Sequence, residues 1–506
     1  MRPTLLPRDK FHEKMTFQIR DSDAHDIRPK STAMNTSGAF PVNVSIAPRH
    51  RAFWGRVTEF EASWFYRLTI IGLVLWWVAY LYPLITVVDI EDPPAVQGTM
   101  EGSLANRLLV ISFAGLGGMY LPRAIRTLRV RREVAPIFYL LAGYLFWSAA
   151  TSLWSIDGVL SIRRLAILVL LLIGAIGLGA GFYAQTRDRA ITLARHVLYA
   201  SWIAIAVLIA SRLWHQSFLE LLNPEWTLKY DTPTQYYMFA AAYGLISAIV
   251  LYPSAKIKSV VSVLVLGLVL LLLKGRTLIA GTLAAGLLIS SCLAKRGPWR
   301  TTAFLLGLIL SSVQVDLAMG GRIVLSCAAF VADRLASLVP YLSIGNGIND
   351  LSSLDGRIPL WHTLWPYFGD HPFIGHGFGA FWYPNRFADV YHEVLWPAVV
   401  AHNGFLDELL GTGVIGLLLF LAFWFASMQF TLRVAKGDKH SGYLAFVWLL
   451  LFLFCNSTLS ILQSYFQAPT LFSGTALFAV LAQSSRPSFR PLPGMYCTKT
   501  KAERQR

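Results

Sequence analysis

Three short stretches carry side chains that could act on an anionic substrate: Lys274-Gly-Arg276-Thr277 between two long apolar runs, Asp355-Gly-Arg357, and His402-Asn403-Gly404-Phe405-Leu406-Asp407-Glu408 ahead of another apolar run. A guanidinium at the mouth of two adjoining membrane spans is costly unless an anion or water meets it, which points to a charged, membrane-borne substrate. Guanidinium also forks onto phosphate oxygens through charge-assisted bonds. Basic side chains at span ends do snorkel towards headgroups, but the turn before Arg276 is too tight to be loop filler and needs Gly275 for its backbone. Lys274 could assist Arg276 or snorkel. Arg357, taken alone, could be a solvated loop charge beside Asp355.

His402 stands just before a helix for which Asn403 is the expected N-cap, with Asp407 and Glu408 in the early turns where the dipole favours acids. The positive helix end keeps imidazole neutral and able to accept a proton near pH 7. An interfacial histidine with its bonds satisfied is the ordinary account of such a residue. Asp407 either orients the ring or stabilises the helix start.

His362, His371, His376 and His392 share the segment before His402, yet they show no two-histidine helical spacing, and His392-Glu393 lacks a second histidine four residues on. No metal and no cofactor are expected. Gly375-x-Gly377-x-Gly379 follows no strand, so its glycines read as turn formers and not as a dinucleotide loop. Asp21-Ser-Asp23 has no α/β domain around it, which speaks against a sugar-nucleotide donor.

The elements that position these residues are membrane helices. Of 506 residues, 55% are hydrophobic and 14% charged, more apolar side chain than a soluble surface tolerates. Windows of about 20 apolar residues, enough to cross about 30 Å of hydrocarbon, begin near Leu68, Leu104, Val134, Arg164, Ala190, Thr234, Ser259, Thr277, Thr301, Gly404, Ser441 and Ala468. The expected architecture is all-α and polytopic, with about twelve spans over residues 68–485. Alternate placement puts 33 of the 44 Lys and Arg on one side, which should be cytoplasmic and hold both termini. The net charge of +16 is therefore mainly a topology signal and an attraction to membrane lipid, not a nucleic-acid footprint.

Residues 1–67 form a basic, proline-punctuated segment, expected to be a disordered cytoplasmic tail without the form of a signal peptide, and residues 486–506 a second basic tail. Residues 320–401 form the one long outer segment. Its start, 323–341, suits an amphipathic surface helix, and its many aromatics, Trp361 and Trp382 among them, suit an ordered cap folded onto the bundle. Residues 214–232 could be a second lid. Cys292, Cys327, Cys455 and Cys497 fall in places that make disulfides implausible. Arg163 and Arg164, at the outer end of the fourth span, line a donor path or anchor the helix.

In this order and at these places in a twelve-span topology, the three stretches resemble the O-antigen ligase and Wzy-type polymerase superfamily. Ser152-Leu-Trp154-Ser155-Ile-Asp157-Gly-Val-Leu-Ser161-Ile-Arg163-Arg164 is similar to the ExoQ-like exopolysaccharide polymerases within it. The resemblance covers roughly 141–421. Two departures stand out: the loop around Asn223-Pro-Glu-Trp226 lacks a His-Lys-Asn element expected of many such polymerases, and Lys274-Gly replaces small hydroxylated residues before the first Arg.

The resemblance implies a GT-C-like fold and a multi-pass glycosyltransferase of the bacterial inner membrane with a periplasmic site. It implies a donor glycan on a polyprenyl (undecaprenyl) diphosphate and metal-independent transfer with inversion. His402 would activate the acceptor hydroxyl, and Arg276 and Arg357 would hold the departing diphosphate. Lys274, Arg163, Arg164 and Asp407 are further candidates for substrate contact. The acceptor is another lipid-linked repeat unit for a polymerase and a lipid A core or protein for a ligase. Polysaccharide export and chain-length proteins are possible partners. A transporter of lipid-linked oligosaccharide is the rival class, but it should carry charge deep in several spans and show internal repeats. A non-catalytic scaffold is a third reading.

Overall fold

A computed structural model describes residues 104–128, 133–186, 188–215, 234–272, 276–293, 357–382, 384–394, 398, 400–457 and 467–484, together with position 305. Twelve described helices follow in chain order: α1 (Leu104–Thr127), α2 (Ala135–Ala150), α3 (Gly158–Ile176), α4 (Arg189–His215), α5 (Thr234–Leu251), α6 (Lys256–Leu272), α7 (Arg276–Leu293), α8 (Arg357–Asp370), α9 (Pro384–Val394), α10 (Gly404–Ala435), α11 (Lys439–Asn456) and α12 (Gln467–Ser484). The described residues contain no strand.

Ten of the expected windows coincide with helices, whereas α8 and α9 belong to the 320–401 segment. The windows at Leu68 and Thr301, both tails, the 323–341 segment and most of 214–232 lie outside the described residues. Among the described residues, five helical stretches are long and apolar enough to cross a membrane: Ala135–Leu153, Gly158–Phe182, Arg189–Ala210, Gly404–Ala435 and Lys439–Asn456. Tyr237–Leu251, Leu278–Leu293 and Pro469–Ala482 are shorter apolar helices. The chain is a multi-pass membrane protein by this composition.

Helix starts follow local chemistry. Asp157 caps α3 by accepting the Leu160 N–H at 2.9 Å, and Asp438 caps α11 by accepting from the Ser441 N–H at 3.1 Å. Pro136 stands in the first turn of α2, where a missing N–H costs nothing. Past Ile176, α3 continues into a π-helical turn, Gly177–Phe182. There α1 and α3 meet backbone to backbone: a Cβ on Gly177 would fall 1.8 Å from the Gly117 carbonyl oxygen, so the crossing requires glycine.

Aromatic packing holds the bundle centre. Trp424 of α10 stacks on Phe452 of α11 at 4.5 Å and 15°, and Tyr243 of α5 meets Trp448 of α11 at 5.5 Å. The Tyr243 hydroxyl is 2.9 Å from Ser473 Oγ of α12, so its polar tip is satisfied inside the apolar core. A smaller cluster, including Leu360, Leu364, Phe381, Trp382, Leu406 and Leu410, packs the outer segment onto the start of α10. The described part of that segment is thus an ordered cap. Trp365 and Phe373 are exposed, a position that suits a membrane interface. Cys292 and Cys455 are free thiols.

Candidate active site

The site is built around one peptide unit. Ala401 donates its N–H to both carboxylate oxygens of Asp407, at 3.2 and 3.1 Å, and its carbonyl accepts the indole N–H of Trp361 at 2.8 Å. Asp407 Oδ1 also accepts the indole N–H of Trp382 at 2.7 Å. The next residue, His402, sits in left-handed backbone at φ 50°, a conformation non-glycine residues adopt only when their surroundings enforce it. Asn403 then returns to extended geometry, and its Oδ1 accepts from the Phe405 and Leu406 N–H groups, which starts α10. The cap is the one its sequence position indicates.

Arg357 and Trp361 are four residues apart on α8 and therefore share a face. Because Trp361 is bonded to Ala401, that face brings Arg357 to His402. Burial first, and the Arg357 guanidinium second, lower the His402 pKa from 6.5 to about 3. Its Nδ1 is sealed from solvent. The structure therefore unites Arg357, His402 and Asp407, with Asp407 anchoring the turn before His402. Arg276 opens α7, but its side chain, and all of Lys274, lie outside the described residues.

A break in α10 lets the cap enter the bundle. Gly413 has φ 69° and ψ −172° in the middle of the helix. The peptide groups freed on either side bond the 371–377 loop: Leu410 and Gly411 carbonyls accept from the His376 and Gly377 N–H groups, and the Val414 N–H donates to the Pro372 carbonyl. Trp147 of α2 donates to the Thr412 carbonyl at 2.9 Å. Irregular backbone at such a place is tolerated where freed groups find protein partners, as these five do: the Leu410, Gly411 and Thr412 carbonyls and the Val414 and Ile415 N–H groups. Gly375, Gly377 and Gly379 all take positive φ, as turn glycines do.

The stretch after α2 grips the same loop from the other side. Trp154 donates to the Ile374 carbonyl, Ile156 N–H to the His376 carbonyl, and Phe378 N–H to Thr151 Oγ1. Arg164 donates to the Gly379 carbonyl and so ties α3 to the end of the 371–379 loop. Arg163, beside it, is half-buried. His376 is buried, with Nε2 at 2.8 Å from the Tyr367 carbonyl, and burial lowers its pKa, with His371 and Arg386 acting in the same direction. Arg386 in turn lies over the Tyr367 ring at 4.5 Å. Among the described residues, no three His, Cys, Asp or Glu side chains form a metal-binding group.

Three participants were not singled out by the sequence as site residues. Trp361 and Trp382 position His402 through Ala401; the signal for Trp361 was its spacing of four from Arg357. Glu408 is fully buried, accepts from Thr412 Oγ1 at 2.7 Å and faces Tyr144 of α2. Nothing in composition distinguishes it from a helix-start acid.

Residues 260–421 match the family model for O-antigen ligase (Wzy_C). No curated protein matches the chain. The matched segment runs from α6 into α10 and contains Arg276, Arg357, His402 and the Gly413 break. This match supports a ligase- or polymerase-type polysaccharide enzyme in the membrane, residues 260–421 being similar to the O-antigen ligase family.

Proposed function

We propose that the protein polymerises polyprenyl-diphosphate-linked oligosaccharide repeat units into an exopolysaccharide at the periplasmic face of the inner membrane. The observation that carries this reading is the pairing of a half-buried imidazole, its Nδ1 sealed from solvent and its backbone left-handed, with a guanidinium one turn from the tryptophan that holds the preceding carbonyl. The acceptor hydroxyl oxygen attacks the anomeric carbon from the face opposite the diphosphate, giving inversion. Its proton passes to His402, and the bond from the anomeric carbon to the diphosphate oxygen breaks with its electron pair leaving on the polyprenyl diphosphate. Arg357 and Arg276 offset that charge, which leaves no step that requires a metal.

A pKa of about 3 makes His402 a weak base in the free protein. Donor binding corrects this, because the diphosphate neutralises Arg357 and adds negative charge beside the ring, and both effects raise the pKa of His402. Base strength then appears only when a leaving group is in place.

Ligation to a lipid A core or a protein uses the same chemistry with a different acceptor. The polymerase branch is favoured by the similarity of the Ser152-to-Arg164 stretch to ExoQ-like polymerases, a stretch that bonds the loop at 374–379. The test is purified protein in liposomes with a synthetic polyprenyl-diphosphate repeat unit. A ladder of polymer from donor alone is expected, and His402→Ala should reduce it by about 100-fold or more. Full polymer output from folded His402→Ala would sink the catalytic reading and favour transport or scaffolding. Product only when a lipid A core is supplied would identify a ligase.

A further inference from the structure

Away from the site just described, α5, α6 and α7 enclose a cavity of about 480 Å³. It begins at the turn between α5 and α6 and reaches the last turn of α7. Ala248, Ile249, Val260, Val263, Leu264 and Leu293 make most of its wall. Val260 and Leu264 are also exposed, at 45% and 66%, so the cavity borders the outward, membrane-facing side of α6. Tyr252, Ser259 and Ser290 are its polar contributors. The Ser259 hydroxyl is buried without a hydrogen-bond partner, a costly state for a polar atom in an apolar wall.

At the turn, Lys256 and Lys258 are exposed on the first residues of α6. The chain holds no Asp or Glu between Asp231 and Asp316, so no acid from this stretch balances them. They also stand at a helix N-terminus, where cations are disfavoured by the dipole. An apolar cavity open to the bilayer, an orphan hydroxyl and two lysines at one end match the three zones of a lipid: chain, ester region and anionic headgroup.

We propose that this cavity binds an anionic glycerophospholipid, with an acyl chain between α5, α6 and α7, the ester region at Ser259 and the phosphate at Lys256, which shares the face of α6 that bears Ser259 and Val260. The bilayer surrounding a multi-pass protein supplies such a ligand continuously. The site lies at the end of the bundle that the distribution of basic residues assigns to the cytoplasm, where anionic headgroups attract lysine. It is independent of the glycan chemistry proposed above.

The full-length protein in mixed micelles, titrated with phosphatidylglycerol and separately with phosphatidylcholine and read by native mass spectrometry, tests this. Phosphatidylglycerol should bind in preference to phosphatidylcholine. Lys256→Gln, at an exposed position that does not endanger folding, should weaken phosphatidylglycerol about 5-fold, whereas Lys258→Gln, on the opposite face of α6, should change it less. Ser290→Phe, which fills the cavity and keeps both charges, should abolish the bound lipid. Equal binding of the two lipids overturns the proposal, as does unchanged phosphatidylglycerol binding in Lys256→Gln. Wild-type binding by folded Ser290→Phe would show that charge alone attracts lipid to the surface. Displacement of phosphatidylglycerol by a polyprenyl phosphate at equal concentration would assign the cavity to the carrier lipid and also overturn it.

Discussion

Trp361 holds the carbonyl of Ala401, and through that one bond of 2.8 Å the helix bearing Arg357 is fixed against the residue that precedes His402. Two elements far apart in the chain, a helix of the outer cap and the start of a membrane span, are thereby aligned to a single peptide unit. Asp407 closes the arrangement from the other side of the same residue.

Trp361→Phe tests this link directly. Phenylalanine keeps most of the ring and removes the N–H, so the Ala401 carbonyl loses its donor inside a packed cluster, at a cost of about 1–3 kcal/mol. The loss falls on alignment of Arg357 with His402 and not on the bulk of the fold. Turnover in the liposome assay should drop roughly 10-fold or more, with protein yield and thermal midpoint near wild type. A variant of wild-type turnover would mean that Arg357 reaches its place without this bond.

The charge relationship predicts a pH effect with a definite sign. In the free protein His402 is neutral throughout the physiological range, since its pKa lies at about 3. The acid limb of kcat/KM, which reports free-enzyme groups, should therefore be absent near pH 6.5. Arg357→Gln removes a positive neighbour, so protonation becomes easier and the His402 pKa rises, while burial, the larger cause, keeps it below 6.5. The acid limb should shift to higher pH as the maximum rate falls, the latter by about 100-fold if Arg357 also holds the diphosphate. An acid limb at unchanged pH would sever the link between these two residues.

How much of this could be read from residues alone divides by range. Apolar windows located the described spans because a 3.6-residue helix in lipid needs only composition and length, both local properties. The Asn403 cap was legible for the same reason: an N-cap is decided within three residues. His402 and Arg357 were legible as types in a pattern, but not as neighbours. Their approach depends on Trp361 crossing 40 residues of chain to Ala401, and an indole N–H has no sequence signature for its acceptor. Arg164 was open between substrate path and anchor because its partner, the Gly379 carbonyl, lies 215 positions away and is a backbone atom. The break at Gly413 was missed outright. Its glycine stands among Gly411, Thr412 and Gly416 in a run that reads as one apolar helix, and only the invading 371–377 loop tells which residue turns.

Asp407→Asn separates the two roles open to that carboxylate. It accepts three bonds, from Ala401 and Trp382, and the structure gives it an anchoring place. Asparagine keeps Oδ1 as acceptor for Trp382 and Ala401 but puts an amide NH₂ where Oδ2 stood, a donor facing the Ala401 N–H, and it removes the charge that strengthens all three bonds. A lower thermal midpoint and reduced turnover together are expected, with the pH dependence of kcat/KM unmoved. A shifted acid limb at normal stability would instead mean that Asp407 acts on the His402 ring itself.

Gly413→Ala probes whether the helix break is required. A Cβ there would meet the Phe373 carbonyl carbon and oxygen at 2.3 Å, both backbone atoms that cannot swing aside, and φ of 69° disfavours any L side chain. Backbone strain alone costs about 1–3 kcal/mol, and relief by straightening the helix would expel the 371–377 loop, whose N–H and carbonyl groups bond the broken turn. Loop and cap would then lose their seat beside Trp361 and Ala401, so turnover should fall more steeply than stability. Gly437→Ala is the matched control, because its nearest neighbour, the Val434 carbonyl oxygen, lies at 3.8 Å, an ordinary contact. Thermal unfolding and polymer output measured side by side decide the matter: if Gly413→Ala behaves like Gly437→Ala in both, the break is a passive irregularity and the cap finds its place by other contacts.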